Sequence, residues 1–140
     1  MILTRSGESA IRALIYIAEQ SDDRYFSTPE IAEAIGAPRN YLSKLLHQLA
    51  QAGLLDSERG PHGGFALAVA PDSFTLAEAL APIEPDRLER GCLLGRARCT
   101  DEDPCPIHAE WKDLREHISS FLEETTIFDL SQVDPHGGKT

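Results

Sequence analysis

The feature that most restricts the fold is a leucine stripe bracketed by turn signals. Leu42, Leu45, Leu46 and Leu49 recur at i, i+3, i+4 and i+7, the spacing of one face of an α-helix. Pro38 opens this helix and Gly53 follows as its C-terminal stop. Upstream, Ser27, Thr28, Pro29 and Glu30 form a start signal for a shorter helix. They supply a hydroxyl cap, a proline in the first turn and, with Ser27 as the cap, a Glu in capping-box position. That helix ends near Ile35 and Gly36, so the turn IGAP joins two helices in a helix-turn-helix pattern. Downstream, Leu54 and Leu55 lead into DSERGPHGG, after which Phe65, Leu67 and Val69 alternate with alanines up to Pro71. This is strand, glycine-rich turn and strand, a hairpin directly after the second helix. The spacing therefore predicts a winged helix, mainly α with a small β-hairpin wing.

With the leucines facing inward, Arg39, Asn40, Ser43, Lys44 and, at the margin, His47 face outward. These residue types suit base edges and phosphates in a major groove, although any solvated helix face is also polar. Arg59 sits near the tip of a wing whose Gly60, Gly63 and Gly64 permit close backbone approach, a placement from which an arginine could enter a minor groove. Composition pulls the other way, since a net charge of -10 argues, taken whole, against nucleic-acid binding. The charge is unevenly placed. Arg39 to Gly64 carries three basic residues against two acidic, whereas Glu84 to Asp134 carries six against thirteen. A DNA surface has to lie in the first of these segments, and its basic signal is weak.

All three cysteines stand in GCLLGRARCTDEDPCPIHAEW, from Gly91 to Trp111. Cys92, Cys99 and Cys105 are separated by six and then five residues, and His108 follows three positions after the last. Four soft or borderline ligands within seventeen positions can close around one metal centre. Gly91, Gly95, Pro104 and Pro106 break helix and strand alike, which predicts a loop shaped by what it holds. Cysteines also serve as small buried hydrophobes, but Arg96, Arg98, Asp101, Glu102 and Asp103 leave little apolar surface here in which to bury a thiol. A structural zinc site is the rival, although the gaps lack the tight two-residue knuckle usual for zinc.

Elsewhere the pattern is helical. Ala10, Ile11, Leu14, Ile15, Ile17 and Ala18 give a helix from about Ser6 to Glu19 with a wide apolar face. Thr75 and Glu78 stand in capping-box spacing at the head of a short helix reaching Ala81. Ile107, Trp111, Leu114, Ile118 and Phe121 are spaced four, three, four, three, a heptad seam on a helix from about Pro106 to Glu124. Such a seam suits pairing with its own copy in a two-fold dimer, and packing back on its own domain is the alternative. FDLSQV adds a last short element, and DPHGGKT reads as a disordered tail. No apolar run reaches membrane-spanning length and MILTRSGESA lacks a signal-peptide core, so the expected place is the cytoplasm with no membrane partner. In a reducing cytosol three clustered cysteines read as ligands or redox sensors. There is no phosphate-binding glycine motif, nucleophile elbow or HExxH pair, so no enzyme is expected.

This order of features resembles the Rrf2 family of bacterial winged-helix regulators. The likeness runs from Leu3 and Thr4 through RNYLSKLLHQLAQAGLL and ERGPHGGFALA to CPIHAEW and FLEETTIFDL. The resemblance implies a homodimer that binds a palindromic operator in double-stranded DNA and carries an iron-sulfur cluster on each subunit. It places cluster ligands at Cys92, Cys99 and Cys105. The fourth ligand is His108 if the chain is similar to IscR-like members with a 2Fe-2S cluster, the favoured scheme. It is Glu8 if the chain follows NsrR-like members, in which the other subunit supplies a carboxylate to a 4Fe-4S cluster. Thr28, Tyr41, His62 and Gly63 complete the expected DNA-contacting set, with His62 a departure from the family's usual glycine run.

The plan is then a winged helix-turn-helix over 1–83, a cluster-binding loop over 84–105, a dimerisation helix over 106–130 and a tail over 131–140. The expected function is a regulator, a repressor, sensing redox state, iron or nitric oxide. The alternatives are a zinc-stabilised or thiol-switched regulator without a cluster, and a redox protein that does not bind DNA.

Overall fold

A computed structural model describes residues 3–20, 24–84 and 107–132. In chain order the elements are α1 (Arg5–Glu19), α2 (Thr28–Ile35), α3 (Arg39–Gln51), β1 (Leu55–Glu58), β2 (Gly64–Leu67), α4 (Leu76–Leu80), α5 (His108–Glu124) and α6 (Ile127–Ser131). Hydroxyl residues set most of the helix starts. Thr4 accepts from the Gly7 N–H, and Ser27 from that of Glu30. Thr75 and Thr126 close full capping boxes with Glu78 and Asp129, which satisfies N–H groups that the first turn leaves without intrahelical acceptors. α2 stops at Gly36, where φ is 72°, a left-handed conformation that glycine adopts without a Cβ penalty.

The capping box expected at Ser27 and Glu30 is only half made. Ser27 accepts from the Glu30 N–H at 3.2 Å, but the Glu30 carboxylate turns to Arg24, with contacts of 2.6 and 3.1 Å. The Tyr16 hydroxyl donates to the same carboxylate at 3.3 Å. A two-pronged guanidinium outcompetes a single backbone N–H for a carboxylate. The Arg24 guanidinium also lies 4.1 Å from the Phe26 ring centroid, and Tyr16 meets that ring edge-on at 5.9 Å. The segment entering α2 is thus pinned to α1. Hydrogen bonding from Arg24 holds the Glu30 carboxyl below its ordinary pKa. Burial, and then the Glu30 charge, push the Tyr16 phenol up.

The core forms where α1, α2 and α3 meet, and Leu14, Ile31, Leu42, Leu46 and Leu49 are fully buried there. Each such side chain contributes about 1.5–3 kcal/mol relative to exposure. Beside the helices, β1 and β2 pair antiparallel in the register Leu55↔Leu67 and Ser57↔Phe65. Phe26 adds a one-residue third strand, exchanging two 2.8 Å hydrogen bonds with Phe65. Asp56 to Glu58, read from the sequence as part of the turn, belong to β1. They are exposed, so the strand has no alternation to betray it. Val69 lies beyond β2 and is exposed.

The C-terminal helices return to this core. α6 packs on α1 and α5 on α4, while Leu76 donates to the Thr125 carbonyl at 2.9 Å. The long helix ends at Glu124 as its spacing predicts, and the short element expected in FDLSQV is α6, so the span 106–130 holds two helices; Ser131, placed in the expected tail, ends α6. Residues 133–140 of that tail lie outside the described residues. α5 has 17 residues and spans about 26 Å.

The heptad seam is divided between inside and outside. Trp111 is buried and Ile118 packs partly against the core, with Leu122, next to the seam, buried as well, whereas Leu114 and Phe121 are more than half exposed. At 100° per residue the seam spans a narrow arc, and α5 is rolled so that the edge of the core runs along it.

The Arg24–Glu30 pair yields a pH prediction. The folded pKa of Glu30 lies below the unfolded one, so its stabilisation is present at neutral pH and lost as pH falls through the folded pKa. Both side chains are partly solvated, at 48% and 32% exposure, so Glu30→Gln should destabilise by at most about 1 kcal/mol at neutral pH. Urea unfolding across the acid range should show variant and wild type converging below the carboxylate range.

Candidate nucleic-acid interface

α3 presents the face that its leucines leave free. Arg39, Asn40, Lys44 and His47 are exposed, and Ser43 is half-buried beside them. Pro38 occupies the cap position and makes no side-chain cap hydrogen bond, and no acidic residue stands in the first turn. The N-terminal end of the helix thus keeps its positive partial charge and adds Arg39 to it, an arrangement suited to a phosphate. Thr28, half-buried, is the first residue of α2.

Two residues of α3 do more than face solvent. Tyr41 is half-buried, with its hydroxyl 2.7 Å from Ser6 Oγ on α1. The exposed His47 meets the Phe65 ring edge-on at 5.2 Å, bracing α3 against β2. The wing stands next to this helix. Arg59 and His62 are exposed in its turn, closed by a 3.0 Å hydrogen bond from the Gly63 N–H to the Gly60 carbonyl. A Cβ on Gly63 would collide with the Glu58 carbonyl, so this glycine has a reason in hairpin closure itself. At Gly64, φ is 142° and a Cβ would strike the Phe26 carbonyl, where the third strand joins. The exposed Asp56 and Glu58 flank Arg59 and keep the wing from being strongly basic. After burial, those two charges are the next causes holding the Tyr25 phenol above its ordinary pKa.

Cys92, Cys99 and Cys105 lie outside the described residues. His108 is the first residue of α5, and Ile107 is its half-buried cap residue. Glu8 is exposed in the first turn of α1. Among the described residues no three His, Cys, Asp or Glu side chains gather into a metal site. The chain enters the cysteine segment from Glu84, whose Oε2 accepts from the Thr4 N–H at 3.2 Å. Glu84 thus meets the same helix turn that carries Glu8. Three thiols with a carboxylate or an imidazole at a helix start form a donor set that fits an iron-sulfur centre.

Sequence reasoning missed Ser6, Phe26 and Glu84. Phe26 is a one-residue strand, too short for periodicity to reveal. Ser6 and Glu84 act through partners 35 and 80 residues away, and no local spacing points to them.

A helix-turn-helix whose second helix shows a polar face beside a β-hairpin defines a winged-helix DNA-binding regulator. This chain belongs to the Rrf2 family, described as iron-dependent transcriptional regulators, which it matches over residues 3–132. It is 34% identical over 136 residues to an assigned HTH-type transcriptional regulator of Aquifex aeolicus, covering 96% of this chain and 94% of that protein. It is 33% identical over 130 residues to the HTH-type transcriptional regulator IscR of Vibrio atlanticus, covering 93% and 75%. Among solved structures it is similar to CymR, the global cysteine regulator of B. subtilis, with a TM-score of 0.75, 25% identity and 94% and 97% coverage. The T. potens IscR structure shares the fold at a TM-score of 0.73, 23% identity and 94% and 87% coverage. These relatives regulate transcription and are not enzymes, and so does this chain. Among the described residues no helix is long and apolar enough to cross a membrane.

The wing offers a direct stability test. Gly64→Ala forces a side chain into a left-handed conformation against the Phe26 backbone, and the expected loss is about 2 kcal/mol or more. Denaturant unfolding measures it, and a loss below about 0.5 kcal/mol would show that the Phe26–Phe65 join yields easily.

Proposed function

We propose that the chain is a repressor that binds a palindromic operator as a homodimer, with α3 in the major groove and Arg59 at the minor groove. Its affinity is set by an iron-sulfur cluster on Cys92, Cys99 and Cys105, with His108 or Glu8 as the fourth ligand. The observation that carries the DNA reading is the outward set Arg39, Asn40, Ser43 and Lys44, backed by a fully buried leucine face. Such backing lets the helix hold its register while the polar side chains meet base edges and phosphates.

Dimerisation rests on Leu114 and Phe121, the exposed members of the seam, with Ile107 and Ile118 beside them. Trp111, buried in the protomer, supports that face from within. A two-fold partner there has to set the two recognition helices about 34 Å apart to meet successive major grooves, one turn of B-DNA. When bound, a cluster with one non-cysteine ligand supplies a centre open to oxidation, ligand exchange and iron loss. The family's description as iron-dependent supports this choice.

One observation favours a second reading. The likeness to a cysteine regulator, together with three cysteines in one short segment, suits a thiol switch without metal. Anaerobic purification with iron, sulfide and zinc analysis separates the two. About two or about four iron and sulfide per chain are expected, with loss of the cluster in His108→Ala or in Glu8→Ala naming the fourth ligand. A colourless protein whose DNA affinity follows thiol oxidation would replace the cluster by the thiol switch, and colourless zinc-loaded protein would replace it by a structural site.

DNA fragments recovered by genomic selection provide the second test. With few cations on its binding face the protein should show a shallow salt dependence. Lys44→Ala should weaken binding to all fragments alike and lower the slope of log K against log salt by about 0.9 for each phosphate contact removed. An unchanged slope would exclude Lys44 from the phosphate contacts.

A further inference from the structure

We propose that Glu84 completes the N-terminal cap of α1 from 80 residues away, and that through Ser6 and Tyr41 this capped turn positions the recognition helix. The inference builds on the reading of α3 as the DNA-contacting helix. It assigns roles to Gly7, Glu84, Ser6 and Tyr41 as positioning residues that act through one another.

The cap of α1 is the starting point. A capping box needs a hydroxyl at the cap and a carboxylate or amide three residues on, each accepting from the other's backbone N–H. Thr75 with Glu78 and Thr126 with Asp129 make this box within one turn. α1 has the hydroxyl, with Thr4 Oγ1 accepting from the Gly7 N–H at 3.0 Å, but its third helical residue is Gly7 and has no side chain to return the bond. The missing acceptor is Glu84, whose Oε2 receives the Thr4 N–H at 3.2 Å.

Gly7 is what makes this possible. A Cβ there would collide with Glu84 Oε1 and stand 3.2 Å from Leu80 Cδ2. The glycine thus vacates the place a box carboxylate would grow from, and Glu84 fills it from outside. The borrowed carboxylate also sits at the positive end of the helix dipole. Glu84 is itself tied to α4, its N–H donating to the Leu80 carbonyl at 2.8 Å, and it is the last described residue before the cysteine segment.

The same turn reaches the recognition helix. Ser6, between Thr4 and Gly7, holds the Tyr41 hydroxyl at 2.7 Å, and Tyr41 lies in the first turn of α3 next to Asn40. Tyr41 thereby serves as a strut to α1. A shift at residue 84 that withdraws the carboxylate loosens the first turn of α1, and with it the strut that sets Arg39 and Asn40.

Hydrogen–deuterium exchange on the full chain tests the path without any bound group. Glu84→Ala should raise amide exchange in the first turn of α1 and also in the first turn of α3, by roughly fivefold, the scale of one neutral hydrogen bond. In Tyr41→Phe, which keeps the ring and removes the hydroxyl, adding Glu84→Ala should still loosen α1 but leave α3 unchanged. Should Glu84→Ala not fold, Glu84→Gln, which keeps an acceptor without the charge, should give a smaller change of the same pattern. Exchange in α3 that ignores Glu84, or responds equally with and without the Tyr41 hydroxyl, would overturn the proposal. Binding to the selected DNA fragments is read alongside. Wild-type protein that fails to bind DNA defeats the DNA reading, whereas the exchange arms alone decide the relay.

Discussion

Burial of the leucine face of α3 is the constraint from which the rest of the structure follows. Leu42, Leu45, Leu46 and Leu49 are sunk against α1 and α2, and turning the helix would expose several of them at once. At about 1.5–3 kcal/mol for each, no surface contact competes with that loss. The outward set of Arg39, Asn40 and Lys44 is therefore a by-product of core packing. It also explains how a chain of net charge -10 can bind DNA, since only the small surface opposite the leucines has to be favourable.

A second layer of constraint is made by backbone contacts at glycines. Phe26 and Phe65 exchange a pair of hydrogen bonds, which joins the start of α2 to the wing. Gly64 allows the strands to approach that closely, and the cation of Arg24 covers the Phe26 ring. The wing is thus fastened to the helix-turn-helix at one end while Arg59 and His62 remain exposed at the other. At α1, Gly7 plays a similar part by admitting a carboxylate from a distant segment.

The C-terminal helices show how one pattern can serve two surfaces. The heptad spacing of α5 is narrower than a typical core-facing stripe, so one seam can lie at a boundary. Here Trp111 and, in part, Ile118 go inward, while Leu114 and Phe121 stay out. Spacing reports that a residue is apolar and on a given face, but not whether its neighbour is the same chain or another copy. That is decided by how far α4 reaches around the helix.

Features set by short-range chemistry can be read directly along the chain. Helix starts at Ser27 and Thr75, the stops at Gly36 and Gly53, the leucine stripe and the hairpin after it are all legible because their partners lie within a few residues. The clustering of Cys92, Cys99 and Cys105 is legible for the same reason. The tertiary structure alone decided that Glu30 would leave its capping box for Arg24, that Phe26 would become a strand and that Tyr41 would turn to Ser6. It also placed Glu84 at the head of a helix 80 residues earlier. Each of these is a competition among acceptors, donors or apolar surfaces that only packing brings within reach. Spacing along the chain carries no information about which of them will win.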